Sequence, residues 1–158
     1  MAKISDQLKE TAFSIAQKLD EVKTQSSVDL IIDDNLLDDS VLAIPKLYSK
    51  YLNQYTSESI ILKELYALKD RLHLERWKYY QGKSTDKYYA EHGIIHEKIL
   101  KSDLDKYLDA DPILQAVNLV ITYQKSLVDH LEKIMKELSN RNFHVKAIID
   151  WRRFVNGV

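Results

Sequence analysis

The chain has 158 residues, a formal net charge of −1 and 30% charged side chains. Its three glycines and two prolines favour a mainly helical protein, and its length fits either one domain with a moderate core or a small domain plus an oligomerisation helix. The absence of cysteine excludes disulfides, thiolate catalysis and cysteine-based metal sites. Because the sequence has no signal-peptide core and no apolar run of about 18 residues, we expect a soluble cytoplasmic protein.

The charges are distributed unevenly along the chain. Residues 1–40 hold four basic and nine acidic side chains, whereas residues 41–89 hold nine basic and five acidic ones. Residues 90–158 hold ten of each sign. An anionic partner is therefore expected to bind the middle third of the chain, although the overall charge indicates nothing about such a partner.

The N-terminal part is predicted to be an amphipathic helix followed by an acidic stretch. The helix runs from Ser5 to about Lys23 and could either dock on the body of the protein or serve as a mobile arm. The stretch Ser26–Asp39 is rich in aspartate but lacks the glycine and the terminal glutamate of a calcium loop. We interpret it as helix caps and a solvated acidic surface rather than as a metal site.

A helix is predicted from Asn35 to Tyr55 with Pro45 inside it. Proline removes one backbone hydrogen bond and crowds the carbonyl four residues earlier, so a kink or a break is expected near Ala43. A second helix, capped at residues 56–57, is then predicted to end at Gly82.

The segment between that helix and the C-terminal third is predicted to be less regular. Lys83–Ala90 is polar and aromatic and is expected to be a loop. Glu91–Leu108 is predicted to be helical with an interruption.

A long helix is predicted from Asp111, which can cap it, with Pro112 in the first turn and a stop at residues 140–142. A last amphipathic helix is expected over Val145–Val155. Apolar residues of the long helix alternate at spacings of four and three, which is an a/d heptad seam widened by apolar e positions. The candidate oligomerisation residues are Ile113, Val117, Val120, Ile121, Gln124, Leu127, Val128, Leu131, Ile134 and Leu138.

Two kinds of partner could cover this seam. The other helices of the same chain could do so, which would make it an ordinary bundle core. Copies of the chain could also do so, and Gln124 favours this second interpretation because a polar a position often sets register and copy number. The period of the pattern does not decide between the two.

The basic middle third also holds eight of the ten tyrosines, between Tyr48 and Tyr89. Such a cationic, aromatic region suits single-stranded nucleic acid, because lysine and arginine bind phosphates while bases stack on rings. The alternative is that the rings line helix interfaces and the cations are simply solvated. The candidate nucleic-acid-binding residues, several of them at helical spacing, are Lys69, Arg71, His73, Arg76, Lys78, Tyr80, Lys83 and Lys87.

No pattern in the sequence indicates an enzyme. His92 and His96 are four residues apart, as two metal ligands on a helix can be, but Gly93 weakens that helix and no third ligand is fixed by spacing. The sequence has no glycine-rich phosphate loop, nucleophile elbow or zinc-protease glutamate. We therefore predict no catalytic residue, no metal and no cofactor.

Several segments recur in the order found in one protein family. They are LYSKYLN at Leu47–Asn53, Arg76 with Tyr79-Tyr80 and Gly82, LDAD at Leu108–Asp111, and FHVKAIIDWRRF at Phe143–Phe154. Together they resemble the UvsY family of recombination mediators of T-even-type bacteriophages. The likeness runs from about Asp29 to the C-terminus, with an insertion around residues 83–100.

The resemblance implies an all-α protein that assembles through its C-terminal region into a ring-like homo-oligomer. It also implies binding of single-stranded DNA, displacement of the phage single-strand-binding protein and loading of a UvsX-type recombinase, in the host cytoplasm. The family has a Lys-x-Arg pair before its Tyr-Tyr, which Arg76 matches in part, because Leu74 occupies the lysine position. We accordingly divide the chain into a helical extension (1–27), a DNA-binding region (28–110) and an oligomerisation region (111–158).

Overall fold

The computed structural model describes residues 2–33, 35–95 and 99–157, and all the regular secondary structure within these ranges is α-helical. The predicted all-α class is therefore confirmed. In chain order the helices are α1 Ala2–Asp29, α2 Leu37–Leu42, α3 Ile44–Tyr80, α4 Asp86–His92, α5 Leu104–Asp109 and α6 Pro112–Asn156. None of these described helices combines the length and the apolarity needed to span a membrane.

The break predicted near Ala43 is confirmed, because α2 ends at Leu42 and α3 begins at Ile44. Pro45 then lies in the first turn of α3, where its missing N–H costs no helical hydrogen bond. The predicted helix start at residues 56–57 is wrong, since α3 continues through it. Thr56 and Ser57 instead donate their hydroxyls to the carbonyls of the preceding turn, at 2.8 and 3.0 Å, so neither acts as a cap.

The predicted end of α3 at Gly82 is confirmed. Gly82 has a φ of +70°, and the Lys83 N–H donates to the Lys78 carbonyl at 2.8 Å, a pairing typical of glycine-terminated helices. The predicted loop at Lys83–Ala90 is wrong in part, because α4 begins at Asp86. Thr85 caps this short helix by accepting a hydrogen bond from the Tyr88 N–H at 3.3 Å.

The predicted cap of α6 is confirmed. Asp111 Oδ1 accepts hydrogen bonds from the N–H groups of Ile113 and Leu114, at 2.9 and 3.1 Å. The predicted stop at residues 140–142 is wrong, since α6 runs on to Asn156. Arg141 is buried there and donates to the carbonyls of Asp29 and Ile31, at 3.3 and 3.4 Å, so tertiary contacts keep this part of the helix in place.

Backbone contacts divide the chain into two compact units, each discontinuous in sequence. The first unit comprises Met1–Gln17 and Ile60–Lys125, and the second comprises Lys18–Ser59 and Ser126–Val158. Parts of α1, α3 and α6 therefore contribute to both units.

The seam of α6 forms the core of each unit. In the first unit, Leu104, Leu108 and Leu114 form a buried cluster against Leu72, Trp77 and Tyr80. The other buried apolar residues of the first unit are Ala12, Tyr79, Ile113, Ala116, Val117, Val120 and Ile121. The buried apolar residues of the second unit are Leu19, Val22, Tyr51, Leu127, Val128, Leu131, Ile134, Leu138 and Val145. In both units, the rest of the same chain covers the apolar stripe of α6.

The N-terminal helix is docked on the body rather than held as a free arm. In the first unit, Ser5 is buried and its hydroxyl lies 3.5 Å from the Pro112 carbonyl, while Ala12 is also buried. In the second unit, the hydroxyl of buried Ser26 lies 3.4 Å from His130 Nε2. These contacts decide between the two arrangements that the sequence left open.

Candidate nucleic-acid interface

Arg76, expected from the sequence to face DNA, lies in the interior of the first unit. Its guanidinium and the carboxylate of Asp111 are both fully buried, and Arg76 Nε donates to Asp111 Oδ2 at 2.6 Å. The same guanidinium lies over the rings of Tyr79 and Tyr80, 4.2 and 5.1 Å from their centroids. In this arrangement Arg76 has no surface left for a phosphate.

Hydrogen bonds complete the surroundings of this buried pair. Arg76 donates to the hydroxyls of Tyr88 and Tyr80 at 3.4 Å each, and the Tyr80 hydroxyl donates to Asp111 at 2.8 Å. Burial alone would lower the pKa of Arg76, but Tyr88, Tyr80 and the charge of Asp111 outweigh that effect and raise the pKa. The pKa of Tyr80 is raised by burial and by its bond to Asp111. The guanidinium therefore stays charged, and its hydrogen bonds join α3, α4 and the start of α6.

A group of rings surrounds this network on α3 and α4. The Tyr79 ring lies 5.8 Å from that of Tyr88 and 5.6 Å from that of Tyr89, and its hydroxyl donates to the His92 carbonyl at 3.1 Å. Tyr88 and His92 are stacked, with their centroids 3.9 Å apart. Much of the tyrosine content that suggested base stacking therefore builds the protein's own interior, although Tyr80, Tyr88 and Tyr89 are each half-buried.

The remaining predicted DNA-binding cations lie outside this interior. Arg71 and Lys78 are exposed and seven residues apart on α3, which places them on one helix face. Lys83 is exposed, follows directly from the α3 terminus and holds its Nζ 4.8 Å from the centre of the Trp77 ring. Lys87 is exposed on α4. We call these four residues the cationic band.

Two further candidates differ in exposure, and one apolar residue interrupts the charged face of α3. His73 is exposed, but Lys69 is half-buried because it lies seven residues from the buried Arg76. Leu74, at 52% exposure, lies between Arg71 and Lys78 on their face of the helix. The exposed Asp70 and Glu75 also lie on this part of α3 and reduce its net charge.

The ten predicted oligomerisation residues of α6 are all buried within the single chain. Further along α6, large apolar side chains are exposed instead: Phe143 at 73%, Trp151 at 65% and Phe154 at 77%. The spacing of these three residues and Ala147 is four, four and three, so they share one helix face, and the rings of Trp151 and Phe154 lie 5.8 Å apart. We call these four residues the C-terminal face.

The histidines that the sequence offered as possible metal ligands are His92 and His96. Among the described residues, no group of three or more histidine, aspartate or glutamate side chains is arranged to hold an ion. His92 is stacked on Tyr88 and its Nδ1 lies 3.0 Å from the Tyr88 carbonyl, while His96 lies outside the described residues.

Sequence reasoning did not find the pairing of Arg76 with Asp111. The two residues are 35 positions apart, beyond the reach of any local pattern. The spacing of Arg76 and Tyr80, four residues on one helix, indicates only that they are neighbours.

Comparisons with known proteins yield one family. The model of the family described as "Recombination, repair and ssDNA binding protein UvsY" matches residues 25–158. A curated relative, recombination protein UvsY of Enterobacteria phage T4, is 25% identical over 140 residues, which cover 89% of this chain and 98% of the relative.

Crystal structures of the bacteriophage T4 recombination mediator protein UvsY have a similar fold. The lattice type IV structure is 24% identical with a TM-score of 0.75, covering 86% of this chain and 98% of the other. The lattice type II structure is 24% identical with a TM-score of 0.76, covering 87% and 96%. The lattice type I structure is 25% identical with a TM-score of 0.74, covering 85% and 98%.

Proposed function

Because this chain belongs to the UvsY family of recombination, repair and ssDNA-binding proteins, we propose that it binds single-stranded DNA non-specifically as a homo-oligomer and mediates recombinase loading. In this proposal it helps a UvsX-type recombinase onto DNA covered by the phage single-strand-binding protein. The processes served are recombination, repair and recombination-dependent replication, in the cytoplasm of the host cell. Residues 28–110 supply the DNA contacts, residues 111–158 the assembly, and residues 1–27 are an extension.

The observation that carries the DNA-binding proposal is the cationic band. Arg71 and Lys78 lie two helical turns apart, roughly 10 Å along the axis, and the α3 terminus brings Lys83 next to Lys78. These side chains can contact successive phosphates without reading the bases, which suits a non-specific binder. Arg76 acts in this proposal by organising the end of α3 rather than by touching phosphate.

A band of four cations is a weak site by itself. Each phosphate contacted on a single strand contributes a salt slope of about −0.7, so three or four contacts would be lost readily as salt rises. Repetition of the band in an oligomer raises the effective concentration for each further contact along one strand. We therefore treat self-assembly as part of the binding mechanism.

The C-terminal face is the surface we propose for self-assembly. Phe143, Trp151 and Phe154 leave most of their area in water, and aromatic side chains of this size contribute strongly to interfaces. The resemblance to the family also implies assembly through the C-terminal region. The buried seam residues support the assembly indirectly, by holding α6 against the rest of its own chain.

A salt titration with matched variants tests the DNA-binding proposal. We expect Lys78→Glu combined with Lys83→Glu to reduce affinity for a (dT) oligonucleotide at low salt and to leave the oligomer mass unchanged. Lys9→Glu combined with Lys3→Glu is the matched control, because both lysines are exposed and precede the segment that matches the family. Equal losses in the two double variants would indicate that only net charge matters.

A protein-docking oligomer without DNA binding is the alternative. Arg76 and Tyr79 match the family motifs, yet both are buried and contribute to the interior, and this observation favours the protein-docking alternative. DNA affinity that is absent, or that stays flat from low to high salt, would replace our proposal with this one.

A further inference from the structure

A cavity opens beside the α3 terminus in the first unit, with a volume of about 730 Å³. Such a volume lies within the range of roughly 300–1,000 Å³ that is usual for small-molecule sites. The rings of Tyr79, Tyr80 and Tyr89 contribute to its wall, and Tyr80 and Tyr89 are half-buried, which leaves part of each ring for a ligand. Ile94 and Leu100 also line it and are 68% and 61% exposed.

The lining fits a flat, apolar ring that carries polar groups at its edge. Tyrosine faces and aliphatic side chains can sandwich such a ring, while Asp86 offers a carboxylate to an exocyclic amino group or a ring N–H. Lys101 also lines the cavity and can neutralise an attached phosphate. The cavity therefore combines an apolar interior with a few polar groups, as ligand sites usually do.

The charged residues around the cavity indicate what kind of molecule carries the flat ring. Lys78 and Lys83 of the cationic band flank Tyr79, Tyr80 and Gly82, the cavity residues at the α3 terminus. A polyanion bound along the band would therefore be held beside the opening, with its bases free to leave the solvent. An apolar peptide would gain nothing from these lysines.

We propose that this cavity receives nucleobases of the single strand held by the cationic band. The proposal rests on the proposed function and adds a base-binding site to it. Beyond Gly82, the cavity wall comes from residues within 86–95 and 99–101.

The test compares two strands of equal length and charge. One is a (dT) oligonucleotide, and the other carries abasic tetrahydrofuran sites in place of most of its thymidines. The full-length protein is expected to bind the abasic strand about fivefold or more weakly, the lower end of what one base stacked on an aromatic side chain contributes. Equal binding of the two strands overturns base insertion while leaving the proposed function intact, whereas binding of neither strand overturns both.

Variants of the cavity wall locate the effect. Leu100→Asp places a charge on an exposed wall residue and is expected to bring the ratio of the two affinities close to one. Leu36→Asp adds the same charge at a residue of the second unit with similar exposure, 53%, and should keep the ratio. A ratio that Leu100→Asp leaves unchanged would show that bases stack elsewhere and would overturn the proposal.

A second pair of variants separates the ring of Tyr89 from its hydroxyl. That hydroxyl lies 3.3 Å from both the Ser84 N–H and the Tyr79 carbonyl. Tyr89→Phe keeps the ring and should keep the preference for the base-bearing strand, whereas Tyr89→Leu should lose it. Far-UV circular dichroism verifies that both variants are folded, and an equal ratio in the two would count against stacking on this ring.

Discussion

Replacement of Asp111 by alanine is expected to destabilise the protein by about 4 kcal/mol or more, because one carboxylate has two functions. Its Oδ2 binds the guanidinium of Arg76 at 2.6 Å in a site where both side chains are fully buried. Removing one partner of a buried ion pair leaves an uncompensated charge and costs about 3–5 kcal/mol. Its Oδ1 caps α6, and loss of such a cap costs about 1 kcal/mol more.

The matched control is Asp111→Asn, which removes the charge and keeps a capping oxygen. We expect it to lose most of the ion-pair contribution and little of the cap, so it should be more stable than Asp111→Ala by about 1 kcal/mol. The double variant Arg76→Met with Asp111→Asn should lower the free energy of unfolding by less than the sum of the two single changes, because neither site then holds an unpaired charge.

Urea unfolding followed by far-UV circular dichroism, at one fixed protein concentration, measures these differences as shifts of the midpoint at constant slope. A loss comparable to the whole stability of a typical domain, about 5–15 kcal/mol, would leave Asp111→Ala largely unfolded. If Asp111→Asn instead lowered the free energy of unfolding by less than about 1 kcal/mol, the Arg76–Asp111 pair would behave as a solvent-exposed ion pair. That result would refute its role as a buried, stabilising pair.

Three further predictions concern binding, assembly and pH. Leu74→Lys adds a cation to the exposed face of α3 and should strengthen (dT) binding and steepen its salt slope by about 0.7, whereas Leu74→Gln should change neither in fluorescence anisotropy. Trp151→Asp should lower the oligomer mass measured by light scattering without loss of helix, whereas Leu131→Asp, at a fully buried site, should unfold the chain. The reverse result would indicate that the α6 seam, and not the C-terminal face, forms the interface between copies. Burial, with Lys23 and Lys133 nearby, lowers the pKa of His130 below 6.5. The unfolded chain therefore takes up this proton first as the pH falls, so stability should drop below about pH 6.5, and less so in His130→Asn, when midpoints are compared at several pH values.

Three of the four motifs that carry the family resemblance share a physical property. Tyr51, Arg76 and Asp111 are each fully buried, and each is a polar group bound to a charged partner. The Tyr51 hydroxyl donates to Asp29 Oδ2 at 2.8 Å, and Lys50 reaches the same oxygen at 2.7 Å. The resemblance proved correct, and these three motif residues maintain the interior, whereas most of the last motif, Phe143–Phe154, is exposed.

Local signals were sufficient for several elements of the fold. Pro45 marks the start of α3, Gly82 marks its end, and the Asp111-Pro112 pair marks the start of α6. Each of these residues acts locally, through its own backbone geometry or through the N–H groups next to it. The short helix α4 was missed although Thr85 gives an N-cap signal, because no apolar period follows it.

Long-range contacts decided what local signals could not. Residues 140–142 resemble a helix stop, yet Arg141 is held in α6 by two carbonyls more than 100 positions away. Arg76 belongs by spacing to a cationic strip, yet a carboxylate 35 positions away draws it inside. A charged side chain becomes interior only where its partner is present, and the partner is placed by the tertiary fold.

The sequence by itself determined that the protein is helical and which residues of the α6 seam, between Ile113 and Leu138, avoid water, since the spacing of apolar residues and the helical period set both. Only the tertiary structure decided that the same chain covers this seam and that the exposed apolar face lies further along, at Phe143, Trp151 and Phe154. The physical reason is that the hydrophobic effect is non-directional. A leucine gains the same free energy from any apolar surface that removes it from water, so the pattern records burial without recording the partner.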